Sequence, residues 1–324
     1  MMHGPEAADA EGAVRRFYEP DDFSAALVGG SFEFMPMLGH RFGATLRLLR
    51  LGELVVQIGE NRSHVCRGAM GGGMAALILP LHYGQENARM NGTEIVGSEA
   101  FLAPHGAEFF GQCPGPNTWA ALAVPESQLE AWAELAPPPV RVRGEASVLA
   151  LPSGPAAQLA RVMATAARMA ADLPDVLAAP GCAEGLALSL GEMVADALTS
   201  GVLVLPRPRA AREAQRIVAA ADDFLRSALP RPVYREQLCA ALAVSLRKLH
   251  DAFVATTGMS PQSYLKVRRL MLARRALRAA GDRPTQVKAV ALSHGFWHFG
   301  HFARDYRALF GELPSQTVAV GAGA

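Results

Sequence analysis

One local pattern occurs twice within residues 237–320 of this 324-residue chain. Each copy has a short helix, a tight turn and a second helix with a polar outward face, which is the pattern of a helix-turn-helix. The second copy closes with the run "AVALSHGFWHFGHFARDYRALFGELPS". Two such units joined by one helix predict an all-helical C-terminal region.

The first copy predicts an apolar inward face on both of its helices, formed by Leu238, Ala241, Leu242, Leu246, Leu249 and Phe253. After a turn at residues 243–244, Ser245 is placed to cap the second helix and Gly258 to end it. The second helix of such a unit enters the major groove with its N-terminal residues facing the bases. The residues predicted to contact DNA are therefore Ser245, Arg247, Lys248, His250 and Asp251.

A long helix is predicted between the two copies. Ser260 is placed to cap it, Pro261 takes its first position, and Gly281 ends it. The spacing of Tyr264, Leu265, Leu270 and Ala273 predicts a buried stripe. Its arginines are candidates for contact with phosphate or with other parts of the protein: Arg268, Arg269, Arg274, Arg275 and Arg278.

The second copy is predicted from Thr285 to residue 311, with its second helix over Trp297–Leu309. Val287, Val290, Ala291 and Leu292 predict the supporting helix, and Gly295 the turn. Phe296, Phe302, Tyr306 and Phe310 are expected to face inward. The outward residues, predicted to contact DNA, are His298, Phe299, His301, Arg304 and Arg307.

The charge of the chain is divided between its two ends. Residues 1–206 hold 12 Arg and no Lys against 22 acidic residues, a net charge of −10. Residues 207–324 hold 16 Arg and 3 Lys against 8 acidic residues, a net charge of +11. A basic module behind an acidic one predicts nucleic-acid binding confined to the C-terminal end.

The sequence pattern of the N-terminal two thirds of the chain changes once, near Gly154. From about residue 23 to 125, short apolar runs recur between Gly, Pro and Asn, which predicts an antiparallel barrel or sandwich, and "VRVRG" at 140–144 adds one candidate strand. From Gly154 two long Ala- and Leu-rich stretches have helical period and predict helices that cover the sheet or form a dimer seam. The Pro-containing segment 201–211 is the predicted linker.

A pocket for a small organic effector is predicted among the apolar runs of the front region, with a few polar anchors. Its candidate residues are Phe34, Met37, His82, Glu86, Arg89 and Phe109. Taken one by one, Phe34, Met37, Phe109 and Phe110 are better explained as plain core than as ligand contacts. The other hypothesis for this region has no ligand: it dimerises or binds a partner protein.

The cysteines and histidines argue against metal chemistry. Cys66, Cys113, Cys182 and Cys239 form no C-x-x-C pair, and His40, His64, His82 and His105 stand far apart in sequence. A metal-dependent enzyme or a zinc-containing DNA-repair methyl acceptor needs clustered ligands. We therefore expect no metal, no cofactor and no enzymatic activity. The start of the chain lacks a signal-peptide core and no run is long enough to span a membrane, so a cytoplasmic protein is expected.

Residues 212–318 resemble the AraC/XylS family of bacterial transcription regulators, chiefly through "VSLRKLHDAFVATTGMSPQSYLKVRRLMLARRAL" and the closing run quoted above. The resemblance implies base readers at Arg247, His250 and Asp251 in the first unit and at Phe299, Gly300, Ala303 and Arg304 in the second. It also implies a cupin-like β-barrel in front and a homodimer that binds promoter DNA, is controlled by a small effector and contacts RNA polymerase as an activator.

The resulting expectation is an α+β multidomain chain. Its predicted divisions are a leader (1–20), a cupin-like barrel (21–150), a helical dimerisation or linker region (151–205) and a DNA-binding domain (206–324) with helix-turn-helix units at 237–258 and 285–311. The chain departs from the family pattern in three ways: Ala289 replaces an acid, Phe299-Gly300 replaces a polar pair, and Thr317 stands near the place of a closing Tyr-Arg. These departures favour phosphate contact over base reading by the second unit.

Overall fold

The computed structural model describes residues 12–83, 86–134, 144–203, 209–228, 231–279 and 287–321. Within these ranges the protein has a sheet-rich N-terminal part and a helical C-terminal part. The strands are β1 (Arg15–Phe17), β2 (Gly30–Pro36), β3 (Ala44–Leu51), β4 (Leu54–Asn61), β5 (His64–Met70), β6 (Met74–Tyr83), β7 (Arg89–Met90), β8 (Thr93–Glu94), β9 (Glu99–Ala103), β10 (Glu108–Cys113), β11 (Asn117–Pro125), β12 (Ser147–Ala150) and β13 (Val202–Leu203).

Some helices are interspersed among the strands in the N-terminal part, and the C-terminal part is helical. The helices are α1 (Pro20–Ala26), α2 (Glu126–Ala133), α3 (Ser153–Asp172), α4 (Pro174–Leu177), α5 (Cys182–Ser200), α6 (Arg209–Ser227), α7 (Arg235–Leu242), α8 (Leu246–Thr257), α9 (Pro261–Ala279), α10 (Val287–Ser293), α11 (Phe299–Phe310) and α12 (Pro314–Gly321). None of the helices in the described ranges is long and apolar enough to cross a membrane. The strand predicted at "VRVRG", the linker residues 204–208, Thr285 and Gly281 lie outside the described residues.

The strands form two antiparallel sheets that face each other. Sheet A has eight strands in the order β1-β3-β4-β11-β6-β9-β12-β13, and sheet B has five in the order β2-β5-β10-β7-β8. Strand alternation places one face of each sheet between the sheets. The apolar layer between the sheets includes Phe23, Phe34, Leu46, Phe101 and Phe109.

The cupin-like barrel predicted for residues 21–150 is not closed. Among the described residues no strand pair joins sheet A to sheet B. Sheet A is instead extended at one edge, where β12 pairs with β9 and β13 pairs with β12. These added strands pair with the β9 edge of sheet A, and the architecture is a sandwich of two sheets.

The outer face of sheet A is covered by helices. Leu159 and Met163 of α3 and Leu190 and Val194 of α5 pack in one buried cluster with sheet residues such as Leu122. The two Ala- and Leu-rich stretches are thus confirmed as helices that cover the sheet. Small alanines on α3 allow the helix to approach the sheet closely.

The outer face of sheet B is covered by the C-terminal helices. Met35, Val65 and Phe110 belong to the same buried cluster as residues of α6, α8, α9 and α11. The order of layers is therefore helices, sheet A, sheet B, helices. The DNA-binding candidate region shares its core with the N-terminal sheet.

Candidate DNA-binding surface

The first helix-turn-helix unit consists of α7, a turn and α8. The turn has Ala243 in the left-handed conformation at φ 51°, a strained value for a residue other than glycine. The Ser245 hydroxyl accepts a hydrogen bond from the Lys248 backbone N–H at 3.2 Å, and Gly258 at φ 68° ends α8. The predicted cap and helix end are both confirmed.

The interior of this unit is smaller than predicted. Leu238, Leu249 and Phe253 are fully buried. Leu246 is 50% exposed, and Ala241 is also exposed, so their prediction as inward residues was wrong. Leu246 is the first residue of α8, where no preceding turn covers the side chain.

The predicted DNA contacts of the first unit lie on its surface. Ser245, Arg247, Lys248, His250 and Asp251 are all exposed. The Arg247 side chain is 92% exposed, and its Nε lies 3.8 Å from Asp251 Oδ2. Lys248 Nζ lies 2.5 Å from Glu213 Oε1 of α6, which lowers the pKa of Glu213. Arg247 is thus available to a ligand, whereas Lys248 already has an acidic partner.

Helix α9 connects the two units. Ser260 Oγ accepts a hydrogen bond from the Ser263 backbone N–H at 3.2 Å, and Pro261 is the first helical residue, as predicted. The predicted stripe of Tyr264, Leu265, Leu270 and Ala273 is buried. Nineteen residues at 1.5 Å each make the helix about 28 Å long, which is close to the ~34 Å between successive major-groove faces.

The arginines of α9 point mainly into the protein. Arg274 donates to Glu19 at 2.7 Å and to Glu312 at 2.9 Å, and Arg275 Nη2 lies 2.5 Å from Asp21 Oδ1. Arg278 lies 3.6 Å from Glu19 Oε2. Arg269 lies over the rings of Tyr234 and Phe296. Arg268 is paired with Asp222. Four of the five predicted candidates for phosphate contact therefore have acidic partners within the protein.

Asp222 of α6 is the centre of an ionic cluster at the contact between the two parts. It accepts hydrogen bonds from Arg67 of β5 at 2.7 Å, Arg268 of α9 at 2.7 Å and Tyr264 at 2.9 Å, and from Arg226 at 3.0 Å. Burial acts to raise the pKa of Asp222, but the surrounding arginines outweigh it and lower the pKa. Asp222 is 1% exposed, so the pairing compensates its desolvation.

The second unit consists of α10, a turn at Gly295 and α11. Gly295 has φ 75°, as the sequence predicted. Phe296, Phe302 and Tyr306 are buried and their rings pack in a row. Helix α11 begins at Phe299 and ends at Phe310, so the predicted start at Trp297 was two residues early. Trp297 is 69% exposed and precedes the N-cap His298.

The outward face of α11 agrees with the predicted set. His298, Phe299, Gly300, His301, Arg304 and Arg307 are exposed and Ala303 is partly buried. Lys288 of α10 lies 5.9 Å from the centre of the Phe299 ring. Arg304 Nη2 lies 3.4 Å from Asp305, which pairs with Lys266 at 2.5 Å. Phe310 and Leu292, predicted inside, are partly buried and 40% exposed respectively.

Thr317 has a structural role in this region. Its side chain is 3% exposed, and its hydroxyl donates to Glu312 at 2.6 Å and bonds the Tyr306 hydroxyl at 2.8 Å. Arg274 contacts the same group of side chains. The position that departs from the family pattern thus joins α11, α12 and α9.

A cavity of about 110 Å³ lies between the two sheets of the N-terminal part. Phe34 and Phe109, two of the predicted effector residues, line it. Met37 is partly buried outside it, and His82, Glu86 and Arg89 are exposed. His82 borders a separate open groove beside β1. The described residues contain no group of three or more His, Cys, Asp or Glu side chains placed to hold a metal ion.

The residues that link the two parts were missing from the sequence-based site. Glu19, Asp21, Glu33 and Arg67 of the N-terminal part pair with arginines or with Asp222 of the C-terminal part. The opposite net charges of the two ends were the one available signal.

Comparison with known proteins also identifies helix-turn-helix structure in the C-terminal part. A family model described as a helix-turn-helix domain matches residues 238–319. The XylDLEGF operon transcriptional activator 2 of Pseudomonas putida is 36% identical over 98 residues, which cover 30% of this chain and 62% of that protein. A probable AraC family transcriptional regulator from Rhodopseudomonas palustris, known from its crystal structure, is 38% identical over 33% of this chain and 97% of that chain, with a TM-score of 0.30.

By its C-terminal domain, the chain belongs to the AraC/XylS family.

The probable thc operon regulatory protein of Rhodococcus erythropolis is 33% identical over 134 residues, 39% of this chain and 40% of that protein. The chain thus spans less than two thirds of the length of these two curated relatives. The relatives are transcriptional regulators, which are not enzymes. For an AraC/XylS protein, the exposed N-terminal turns of α8 and α11 are the surfaces to consider for DNA.

Proposed function

We propose that the protein is a sequence-specific DNA-binding regulator of transcription, and an activator that contacts RNA polymerase in the bacterial cytoplasm. The observation that carries the proposal is the pair of helix-turn-helix units on one connecting helix, with Arg247 and Arg304 exposed near the starts of their second helices. Such arginines read guanine or hold phosphate. The Pseudomonas putida relative, which is a transcriptional activator, supports the same role.

The division of labour follows the proposed boundaries of 21–150, 151–205 and 206–324. We propose that the N-terminal part, related to cupin-like barrels although built here as a sandwich, binds a small effector in the cavity between its sheets. Sheet B provides a physical route to the DNA-binding helices. Its inner face lines the cavity and its outer face carries Arg67, which is bonded to Asp222 of α6.

The proposal is tested by footprinting full-length protein on the DNA upstream of its own gene and of the neighbouring genes. We expect protection of two similar half-sites, one for each protomer of a homodimer, because two units on one chain span only about two groove faces. Random DNA of equal length is the control. Equal affinity for both DNAs, or protection of a single unit's width, contradicts the proposal.

A second role for the N-terminal part is supported by a specific surface. Leu173, Val176 and Leu188, on and beside α4 and α5, are 52%, 42% and 71% exposed. Apolar side chains exposed together on one helical layer favour dimerisation. Sedimentation equilibrium of the wild type and of Leu188→Glu is the test, with a monomer expected for the variant. A wild-type monomer rules the dimer out.

A further inference from the structure

The described residues that line the cavity between the sheets are uncharged or apolar. Of the described residues around it, none is Arg, Lys, Asp or Glu. Most of the wall is aromatic or aliphatic and includes Phe34, Met70, Ile78, Phe101, Phe109 and Trp119. Burying an unpaired charge in such a space costs far more than a single contact returns. The wall therefore selects against a charged ligand.

His64 of β5 supplies a polar acceptor in this wall. Its Nδ1 lies 2.7 Å from the Arg62 carbonyl oxygen. A carbonyl only accepts, so Nδ1 carries the proton and Nε2 of the neutral ring holds a lone pair. Burial lowers the pKa of His64 to about 4, against the effect of the Arg62 hydrogen bond, and the ring is neutral near pH 7. Among the described residues, none is bonded to Nε2.

Several other polar groups of the wall are already paired, among them Asn117, whose Nδ2 donates to the Gly115 carbonyl at 3.3 Å. Gln57 accepts from the Val28 backbone N–H at 2.9 Å and donates to the Val28 carbonyl at 3.0 Å. Trp119 Nε1 donates to Asn61 Oδ1 at 2.7 Å. Cys66 and Cys113 remain thiols, because burial raises the pKa of both, that of Cys113 to about 12. The described residues of the wall therefore carry no anion, and they include no cation that could pair with an anionic ligand.

We propose that this cavity binds a small uncharged molecule, about one six-membered ring in size and carrying a single hydroxyl group that donates to His64 Nε2, and that it rejects carboxylates. An apolar cavity of about 150 Å³ binds benzene. The 110 Å³ here is smaller, but the flexible Met70 and Met90 side chains in its wall adapt readily. That the bound molecule acts as an effector rests on the regulatory function proposed above. Its binding to the cavity is measured without DNA.

The test is calorimetric titration of the full-length protein near pH 7.5 with phenol, benzene and benzoate. We expect phenol to bind, benzene to bind roughly 2- to 12-fold more weakly for want of one neutral hydrogen bond, and benzoate to show no binding. His64→Leu should abolish the preference for phenol and retain benzene. His82→Leu, at an exposed histidine of β6, is the matched control and should keep the preference.

The ligand series on wild-type protein decides the proposal even if a variant fails to fold. Benzoate binding as tight as phenol, or no binding of any of the three at millimolar concentration, overturns it. An unchanged phenol preference in folded His64→Leu overturns the role of His64. DNA affinity is measured on the same preparation: its loss contradicts the regulator alone, and absent ligand binding beside intact DNA binding contradicts the cavity alone.

Discussion

Arg247 lies at the N-terminal end of α8 with almost its whole side chain in solvent and only a distant contact to Asp251. A side chain in this state forms no part of the core, so its removal affects ligands more than folding. Lys248 differs from Arg247 in this respect, because its ammonium group is already paired with Glu213.

We expect Arg247→Ala to cost about 1–3 kcal/mol of specific binding and to relax the preference at one base pair. Melting temperature should stay unchanged. Arg161→Ala, at an exposed arginine of α3, is the matched control and should leave DNA affinity intact. Binding is measured by fluorescence anisotropy on specific and random DNA. Equal losses on both would make Arg247 a phosphate contact.

His64 gives a residue-scale prediction that needs no DNA. Its pKa is about 4 in the folded protein against 6.5 in the unfolded chain. Between these pH values the unfolded chain binds a proton that the folded protein does not, so the free energy of unfolding falls as pH falls. We expect a loss of about 3 kcal/mol across this window.

Urea unfolding at a series of pH values measures this loss. His64→Gln should flatten the dependence between pH 6.5 and 4, and His82→Gln should not. Asp222 acts in a lower window, because its lowered pKa means that its stabilisation is present above the unfolded value, near pH 3.9, and is lost below it. A wild-type and a His64→Gln protein with the same pH dependence would contradict the burial of a neutral ring.

At the scale of elements, α11 shows one face in the core and one in solvent over a single helix. Phe302 is 2% exposed and packs on Phe296 and Tyr306, whereas Phe299 is 37% exposed. Two phenylalanines three residues apart thus belong to different environments. They form a matched pair for separating folding from recognition.

We expect Phe302→Ala to cost about 3–5 kcal/mol of stability and to abolish DNA binding by unfolding the second unit. Phe299→Ala should leave the melting curve unchanged and weaken DNA binding only. Thermal unfolding followed by circular dichroism, together with anisotropy, distinguishes them. A Phe302→Ala protein that melts like the wild type but does not bind DNA would show that Phe302 is a contact residue.

The helices of the C-terminal part could be predicted because their signals are local. Caps such as Ser245 and Ser260, and the left-handed glycines 258 and 295, lie within a few residues of what they end or begin. The pairing of β strands into a sandwich depended on partners far apart in sequence. The addition of β12 and β13 to sheet A followed from no local pattern.

At the scale of the whole molecule, the opposite charges of the two parts form ion pairs with each other. From the sequence, the basic charge had been related only to DNA. The acids of the N-terminal part partly neutralise the arginine row of α9. The roles of His64, Asp222 and Glu19 could not be predicted from sequence, because the burial of His64 and the ion pairs of Asp222 and Glu19 depend on elements far away in the chain. The exposed faces of α8 and α11 lie where they were predicted.

This arrangement predicts unequal effects of two arginines on the salt dependence of DNA binding. We expect Arg304→Gln to reduce the slope of log affinity against log salt by about 1, because Arg304 is 68% exposed on α11. Arg275→Gln should leave the slope nearly unchanged, since Arg275 is paired with Asp21. Full-length protein is titrated at several salt concentrations. Equal effects of the two variants would place α9 against phosphate.

The cluster around Asp222 limits which N-terminal domains can be joined to this C-terminal domain. A C-terminal domain moved onto an unrelated sensor would keep Asp222 and Arg268 but lose Arg67, which lies in β5. The new fusion would also leave apolar residues of α6 and α8 without Met35, Val65 and Phe110 to cover them. Exchange of sensors between relatives should therefore succeed only where the incoming sheet brings its own arginine and apolar face, and the two parts of such chains should be inherited together.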